Sequence, residues 1–308
     1  MLEQVLSALR RNGYEGRVCR AERLADLRAE YEARRAAGEL EPMLDDDYFR
    51  HYAFNAADVM PGARSVVVVA APHPPVAFTF ARRGKTYRLL VPPTYFQGAA
   101  ADEKVAAVLN EMLAPGGGRV VRATLPVKLL AVRTGLAAYG KNNITYVEGL
   151  GSFYRLTAFL SDLPVDARDG WREAAALPRC AECVACARAC PTGAIADDRF
   201  LLHVDRCITF HNEMPPEVPF PRWLEPSWHE CLVGCMKCQR ACPENKAVRD
   251  WFVEGAAFDE AETALLLRGA PLDELPPALR EKLERTDLAK GLDVLPRNLG
   301  AIFNRDAP

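Results

Sequence analysis

The distribution of cysteine constrains this chain more than any other feature of its sequence. Of the ten cysteines in 308 residues, nine lie between positions 180 and 242, and Cys19 stands apart. In a reducing compartment, cysteines this closely spaced indicate bound metal rather than disulfide bonds. Because Cys19 has no cysteine near it in the sequence, we expect it to be a small, partly buried apolar residue.

The first cysteine motif, CAECVACARACP, follows the pattern C-x2-C-x2-C-x3-C-P. In bacterial ferredoxins the first three thiolates of this pattern bind one [4Fe–4S] cluster and the fourth binds a neighbouring cluster. A structural zinc site needs two C-x2-C pairs, and it explains neither the third evenly spaced cysteine nor the final proline. The motif therefore predicts iron–sulfur clusters. Its cysteines are Cys180, Cys183, Cys186 and Cys190.

A second and shorter motif, GCMKCQRACP, lies closer to the C-terminus. Cys235, Cys238 and Cys242 keep the spacing C-x2-C-x3-C and again precede a proline. Two [4Fe–4S] clusters need about eight thiolates, and the two motifs together supply seven. The eighth ligand is either Cys207 or Cys231, and spacing alone leaves both open.

The exchange of the fourth cysteine between neighbouring clusters assigns the other ligands. Cluster 1 is predicted to bind Cys180, Cys183, Cys186 and Cys242. Cluster 2 is predicted to bind Cys190, Cys235, Cys238 and the eighth cysteine. Two adjacent clusters are typical of a relay for single electrons, although they could instead stabilise a domain too small to bury a large core. We favour the redox role.

The remaining composition is that of an ordinary globular chain. Apolar residues make up 49% and charged residues 26%, and the formal net charge is −2. This balance gives no global indication of nucleic-acid binding. The N-terminal residues lack the apolar core of a signal peptide, and the run SVVVVAA is too short to span a bilayer. We therefore expect a cytoplasmic enzyme with no membrane contact.

Hydrophobic periodicity predicts a mixture of helices and strands before the cysteine region. The predicted helices are an amphipathic one over 20–37, a second from 101 that Pro115 ends, and a third from 126 to about Gly140. The predicted strands lie at 65–71, 144–147 and 151–163. Beyond residue 250 the composition is helical. A polar, proline-bearing stretch near 163–178 is a plausible domain boundary.

Several separated segments resemble one known family, the cobalamin-dependent epoxyqueuosine reductases, which share a plan with reductive dehalogenases. These segments are MPGARSVVVVA, AVRTGLAAYGKNN, GSFYRLTAFLSDL, the two cysteine motifs, DRCITF between them, and LPRNLGAIFNR. The resemblance runs from about residue 58 to the C-terminus and is strongest in the cysteine region. We interpret the chain as a divergent paralogue of that family.

The resemblance implies an α+β fold in three parts. Residues 1–165 would form a nitroreductase-like α/β domain that binds a cofactor. The expected cofactor is cobalamin, and flavin is the alternative. Residues 166–250 would form a ferredoxin-like domain with two [4Fe–4S] clusters, and 251–308 a short helical tail. In the family, the eighth cluster ligand is the cysteine of an Arg-Cys-Ile segment. That position is Cys207, so the resemblance selects it over Cys231.

The sequence also departs from the family where the substrate chemistry lies. The family's Asp-x-x-Pro-x-x-Glu stretch, which carries its proposed proton donor, falls on VRATLPV, with Val121 and Val127 at the acidic positions. The family's Asp-Tyr-His stretch is missing, and VPPTYFQG lies near its place. The segment corresponding to the helical repeats that hold tRNA in longer members is short. These departures disfavour tRNA as the substrate.

Candidate site residues follow from resemblance or position. A reduction at a bound corrinoid needs a proton source, and the candidates are Lys128, Tyr139, Tyr146 and His211. The candidates for cofactor contact are Lys141, Asn142, Asn143, Ser152 and Thr209. The polar residues behind Gly140 suit a loop that hydrogen-bonds the amide side chains of a corrinoid.

The sequence thus predicts an oxidoreductase that receives electrons from a ferredoxin or flavodoxin. The two clusters would reduce a corrinoid in the N-terminal domain, which would act on a small organic substrate. One alternative is an electron-transfer protein that reactivates the corrinoid or flavin of a partner. A second is an epoxyqueuosine reductase acting on tRNA with a displaced proton donor.

Overall fold

The structure is a computed structural model that describes residues 1–47, 49–165, 169–197 and 199–304. Its α-helices are α1 (Leu2–Arg11), α2 (Arg23–Ala36), α3 (Pro42–Asp47), α4 (Ala56–Val59), α5 (Gly98–Leu113), α6 (Val127–Arg133), α7 (Ala185–Ala189), α8 (Ile208–Glu213), α9 (Lys237–Ala241), α10 (Glu260–Leu267), α11 (Pro277–Arg285) and α12 (Leu295–Asn304). Its strands are β1 (Glu15–Arg20), β2 (Ser65–Pro72), β3 (Val76–Arg82), β4 (Lys85–Val91), β5 (Val120–Ala123), β6 (Ala138–Tyr139), β7 (Thr145–Tyr146), β8 (Tyr154–Ser161) and β9 (Val253–Phe258).

Backbone contacts divide the chain into two compact units. The first comprises Met1–Pro72 and Gly98–Cys183, and the second comprises His73–Gln97 and Val184–Pro308. This division differs from the three consecutive segments expected from sequence, because residues 73–97 join the C-terminal part. The expected boundary at residue 166 falls on 166–168, outside the described residues. No helix in the described part of the chain is both long and apolar enough to cross a membrane.

The first unit is built on a four-stranded antiparallel sheet with the order β1-β2-β8-β5. Alternate side chains of a strand face opposite sides of its sheet, and both sides of β2 are covered here. Val66 packs into a core with α2 and α6, whereas Val67 packs into a second core with α1 and α5. This covering explains why the sequence of β2 is an unbroken apolar run, and the predicted strand is confirmed.

The predicted third helix is only half correct. It ends at Arg133, where the Thr134 hydroxyl donates to the Leu130 carbonyl at 2.9 Å and Gly135 takes a left-handed φ of 73°. A left-handed residue at this position is a common way to end a helix. The chain then forms the small β6–β7 hairpin, in which Tyr139 pairs with Thr145. Residues expected to continue a helix therefore form a loop closed by two short strands.

The second unit contains a three-stranded sheet with the order β4-β3-β9. The hairpin between β3 and β4 turns at Arg83 and Gly84, which both have positive φ. Strand β9 pairs in parallel with β3, with Val253 opposite Val76. Its formation corrects the expectation that 251–308 is entirely helical. Helices α10, α11 and α12 do follow as predicted, and their apolar faces share a core with β3 and β4.

Candidate metal centre

The last two cysteines of each motif lie in the second unit, and the chain folds in the same way around both pairs. Each motif has a short helix, α7 or α9, that begins one residue before its second-last cysteine and ends just before its final one. Cys190 and Cys242 follow these helices with extended backbone, and α7 packs against α9. The sequence repeat is thus also a structural repeat.

Cys207 has the surroundings of a ligand. It lies at the start of α8, where the backbone N–H groups of Thr209 and Phe210 and the hydroxyl of Thr209 donate to its sulfur. Burial raises the pKa of the Cys207 thiol, and these hydrogen bonds oppose that rise. Because hydrogen bonds to the charged form favour it, the donors would stabilise a cluster-bound thiolate.

Three of the cysteines predicted for cluster 2 interact electrostatically. Cys207 interacts with Cys190 and with Cys235, although the three lie far apart in the sequence. Burial raises the pKa of Cys235 to about 11, and the backbone N–H of Lys237 donates to its sulfur. The Cys190 sulfur lies 3.3 Å from the Thr192 hydroxyl. The arrangement suits a shared metal centre with sulfur donors.

Cys231 has different surroundings. Its residue is only 2% exposed, and its backbone lies beside β4, where the Leu232 N–H donates to the Leu90 carbonyl at 2.8 Å. Burial raises the pKa of the Cys231 thiol far above its usual value. A thiol this buried in a protein core behaves as an apolar side chain. The Cys231 sulfur also accepts a hydrogen bond from the Met236 N–H and interacts electrostatically with Cys235. The choice of Cys207 over Cys231 as the eighth ligand therefore stays a prediction.

The structure does not test the full ligand assignment. Cys180 and Cys183 end the first compact unit, and their place in cluster 1 stays a prediction. Among the described residues, no three His, Cys, Asp or Glu side chains are grouped to hold a single metal ion. The assignment to clusters therefore depends on the motifs and on the donor chemistry of the sulfurs.

The predicted cofactor loop of the first unit does bring several candidates together. Lys128 is exposed and its Nζ donates to the Asn143 carbonyl at 3.1 Å. Asn142 is buried; its amide donates to the Tyr146 hydroxyl at 2.9 Å, and its Oδ1 accepts from the Ile144 N–H. Asn143 has a left-handed φ of 58°. The side chain of Asn142 thus holds the loop in shape.

The other candidates of this unit differ in exposure. Lys141 is half-buried, whereas Ser152 and Tyr139 are buried. Burial raises the pKa of Tyr139 well above its usual value, so its hydroxyl keeps its proton at neutral pH. A β-bridge between Val147 and Gly151 closes the segment before Ser152. Lys141, Asn143 and Ser152 stay the predicted cofactor contacts of this loop.

The two remaining candidates lie in the second unit. The Thr209 hydroxyl donates to the Cys207 sulfur, and its contact with the cofactor stays a prediction. The Nε2 of His211 lies 2.8 Å from the Asp205 carbonyl oxygen, and its ring packs edge-on against Trp223. Both side chains are thus engaged with the segment around Cys207.

One pair of residues near the cysteines was missed by sequence reasoning. The Tyr95 hydroxyl donates to the Glu213 carboxylate at the end of α8, and Tyr95 also interacts electrostatically with Cys207 and Cys231. Burial raises the pKa of Glu213. The two residues are distant in the sequence, and no local pattern could have paired them.

Comparison with known proteins supports the metal centre. Residues 179–245 match the family described as a 4Fe-4S double cluster binding domain. The second unit and the end of the first therefore contain a double-cluster [4Fe–4S] domain.

Curated relatives extend the match. Epoxyqueuosine reductase of Escherichia coli is 33% identical over 117 residues, which cover 38% of this chain and 29% of that enzyme. The enzyme of Burkholderia pseudomallei is 31% identical over 191 residues, which cover 60% of this chain and 44% of that enzyme. The matched segments thus span less than half the length of these relatives.

Solved structures match nearly the whole chain. Epoxyqueuosine reductase of Streptococcus thermophilus has a TM-score of 0.72 at 15% identity, covering 98% of this chain and 80% of that one. The Bacillus subtilis enzyme has a TM-score of 0.70 at 20% identity, covering 98% and 81%. The chain has the α+β fold of these proteins, and its sequence is related to epoxyqueuosine reductases, as the motifs predicted.

Proposed function

We propose that this protein is a reductase in which two [4Fe–4S] clusters pass low-potential electrons to a corrinoid held by the first unit. The observation that carries the proposal is a double-cluster domain within a chain that has the fold of epoxyqueuosine reductases over 98% of its length. A ferredoxin or flavodoxin would supply the electrons. The substrate that we favour is a small organic molecule.

The donor groups of the first unit are compatible with a corrinoid. A corrinoid presents amide side chains, which hydrogen-bond to amides, hydroxyls and backbone groups. Lys141, Asn143 and Ser152 carry such groups, and Asn142 shapes the loop through its hydrogen bonds to Tyr146 and Ile144. When bound, the corrinoid would supply a cobalt centre able to reduce an organic substrate. The protein would hold it, exclude water and provide the proton.

The missing carboxylates favour a substrate other than epoxyqueuosine. Val121 lies in β5 and Val127 begins α6, and the sequence between them contains no Asp or Glu. A proton would then come from another group. The Tyr146 hydroxyl accepts from Asn142, and Lys128 of α6 donates to the Asn143 carbonyl of the same loop. Both are candidates for the proton donor.

Epoxyqueuosine reduction on tRNA is the second candidate. The curated relatives are named for this activity, and a solved epoxyqueuosine reductase with a TM-score of 0.69 holds a modified tRNA stem loop. Because the matched segments cover less than half the length of those relatives, the match does not by itself assign their activity to this chain. The net charge of −2 gives it no general attraction for a phosphate backbone.

Metal analysis tests the proposal directly. The chain is purified without oxygen, incubated with cobalamin, desalted, and assayed for iron and cobalt. We expect about eight irons, the content of two [4Fe–4S] clusters, together with about one cobalt per chain. Lys141→Ala should lower cobalt retention while iron stays constant, and the exposed Lys104→Ala serves as its control. Iron without cobalt in the unaltered protein would contradict the corrinoid and favour a partner-reactivating role.

Activity assays then separate the substrates. The cobalamin-loaded protein is given a reduced flavodoxin and an epoxyqueuosine-containing tRNA stem loop, with the Escherichia coli enzyme as the positive control. Loss of the epoxide by mass spectrometry would establish the second candidate. A loaded protein that consumes no electrons on the stem loop, but does so with a small organic oxidant, would support the first.

A further inference from the structure

Arg297, near the start of α12, binds three backbone carbonyls of the cysteine region. Its Nη1 donates to the Pro215 and Val218 carbonyls, both at 2.9 Å, and its Nη2 donates to the Asn212 carbonyl at 3.0 Å. Its guanidinium also lies 4.7 Å from the centre of the Phe220 ring. A guanidinium presents several donors in one rigid plane, so this single side chain fixes the backbone after α8.

The next residue, Asn298, continues the network. It is completely buried; its Nδ2 donates to the Asn212 carbonyl at 3.1 Å and to the Leu232 carbonyl at 3.0 Å. Its Oδ1 accepts a hydrogen bond from the Nε of Arg297 at 3.1 Å. Asn212 in turn donates from Nδ2 to the Gly234 carbonyl at 2.8 Å. We refer to Arg297, Asn298 and Asn212 as the α12 clamp.

The α12 clamp joins the two segments that carry ligands of cluster 2. Asn212 belongs to α8, and Cys207 immediately precedes this helix. Leu232 and Gly234 belong to the segment that leads directly into Cys235. The clamp therefore sets the spacing between Cys207 and Cys235, which interact electrostatically across it.

The hydrogen bonds of the α12 clamp indicate that it fixes a particular backbone geometry and does not only fill space. Hydrogen bonds from a charged donor are stronger than those between neutral groups. Asn212 is fully buried, and its Oδ1 has no hydrogen-bond partner among the described residues. An unsatisfied buried polar atom destabilises a protein. Leucine would avoid that cost, so the bond that the Asn212 amide makes to Gly234 has a structural purpose.

We propose that Arg297 and Asn298 are positioning residues for cluster 2, holding the Cys207 and Cys235 segments at the separation that the cluster requires. They do not bind the cluster themselves. The proposal depends on the double-cluster assignment of the proposed function but not on the corrinoid or on any substrate. Partners that orient metal ligands affect metal affinity about 10- to 100-fold, so losing the clamp should weaken retention of one cluster only.

Arg297→Lys is the main test variant, because lysine keeps the positive charge but lacks the planar set of N–H donors of the guanidinium. The Cys207→Ser variant first identifies the signal of cluster 2. That signal is the part of the electron paramagnetic resonance spectrum of the reduced protein that disappears in the variant. In Arg297→Lys we expect that same signal to fall at least about twofold on desalting, with cluster 1 unchanged. Iron content should fall toward about four atoms per chain, the content of one cluster.

Arg280 provides a matched control in the same unit. Its Nη2 donates to the Asp273 and Leu275 carbonyls at 3.0 and 3.3 Å, and that segment contains no cysteine. Arg280→Lys should lower the melting temperature without changing either cluster signal. If both lysine variants lose the two signals in proportion to their melting temperatures, the clamp has only a general structural role and the proposal is wrong.

A milder variant covers the case in which Arg297→Lys does not fold. Phe220→Leu removes the ring on which the guanidinium packs, so Arg297 should be held less firmly against its three carbonyls although no hydrogen-bonding group is lost. We expect a smaller change confined to the signal of cluster 2, and an unchanged spectrum in a folded Phe220→Leu protein would also oppose the proposal. If the unaltered protein holds one cluster or none, the double-cluster assignment itself fails, and that outcome is distinct from failure of the clamp.

Discussion

Arg155 binds Asp102 through two parallel hydrogen bonds, from Nε to Oδ1 at 2.6 Å and from Nη2 to Oδ2 at 2.8 Å. The carboxylate also accepts a hydrogen bond from the Thr157 hydroxyl and forms an ion pair with Arg122 at 2.9 Å. Its side chain is 5% exposed, so these partners replace water. The pair joins α5 to β8 and thereby fixes a helix onto the sheet of the first unit.

Removing this carboxylate should destabilise the protein strongly. Asp102→Asn leaves the half-buried Arg155 without its counter-charge. Breaking a fully buried pair costs about 3–5 kcal/mol, and we expect a loss toward the lower end of that range. Urea unfolding monitored by circular dichroism measures the change. Asp26→Asn is the control, because Asp26 pairs with Arg23 while 49% exposed, and it should cost less than about 1 kcal/mol.

The same pair predicts a dependence on acid. Burial raises the pKa of Asp102, but hydrogen bonds from Arg155 and Thr157 outweigh that effect and leave the pKa below its ordinary value. The stabilisation is therefore fully present above the pKa of an unfolded aspartate and is lost as the pH falls through the folded pKa. The stability difference between the unaltered protein and Asp102→Asn should shrink in that acidic range. A difference that stays constant there would contradict this account.

The cysteine assignment predicts opposite results for two serine variants. Cys207→Ser should remove the signal of one cluster, because the Cys207 sulfur accepts hydrogen bonds from Thr209 and Phe210 that favour a thiolate ligand. Cys231→Ser should leave both clusters and lower stability, because it places a hydroxyl at a site only 2% exposed. Such a buried polar group costs about 1–3 kcal/mol unless it finds a partner. Iron analysis and electron paramagnetic resonance check both variants, and the reverse pattern would make Cys231 the ligand.

Thr209 should tune the potential of cluster 2. Hydrogen bonds to the sulfur of a ligand stabilise the more negative, reduced state and raise the reduction potential. Thr209→Val keeps the shape of the side chain but removes the hydroxyl that donates to Cys207. We expect the potential of cluster 2 to become more negative, measured by redox titration. Thr263→Val, at a buried threonine of α10, is the isosteric control and should leave both potentials unchanged.

Local sequence patterns were sufficient for the elements whose burial is decided locally. The apolar run of β2 and the periodic apolar residues of α2 and α5 indicated their structures, because each faces a core along its whole length. Strand β9 was missed. It is mostly exposed, and it forms because β3 offers a parallel partner far away in the sequence.

The same limit applies to the metal centre. The spacing of the cysteines predicts clusters because their ligands lie within a few residues of one another. Spacing left Cys207 and Cys231 equivalent. In the structure both sulfurs accept backbone hydrogen bonds, and they differ in that Cys207 also accepts the Thr209 hydroxyl whereas Cys231 lies beside β4. The contacts of Arg297 join residues that lie 82 and 79 positions apart in the sequence. No periodicity could have shown them.

His229 predicts a second pH dependence, within the cysteine region. The residue is 1% exposed and its ring packs 4.7 Å from that of Phe220. Burial lowers the pKa of His229 to about 4, helped by the charges of Arg297, His211 and Lys237. The folded protein thus keeps this histidine neutral at pH values where the unfolded chain, with a pKa near 6.5, already takes up a proton.

Stability should therefore fall as the pH drops from about 6.5 to about 4, by up to roughly 3 kcal/mol if the whole shift is expressed. His229→Leu removes the titrating group, so its stability should change less over that range than that of the unaltered protein. His51→Gln, at an exposed histidine, should keep the original slope. The measurement is urea unfolding at successive pH values under anaerobic conditions. Equal slopes in all three proteins would mean that His229 is already protonated in the folded state, and that its neighbours accept the charge.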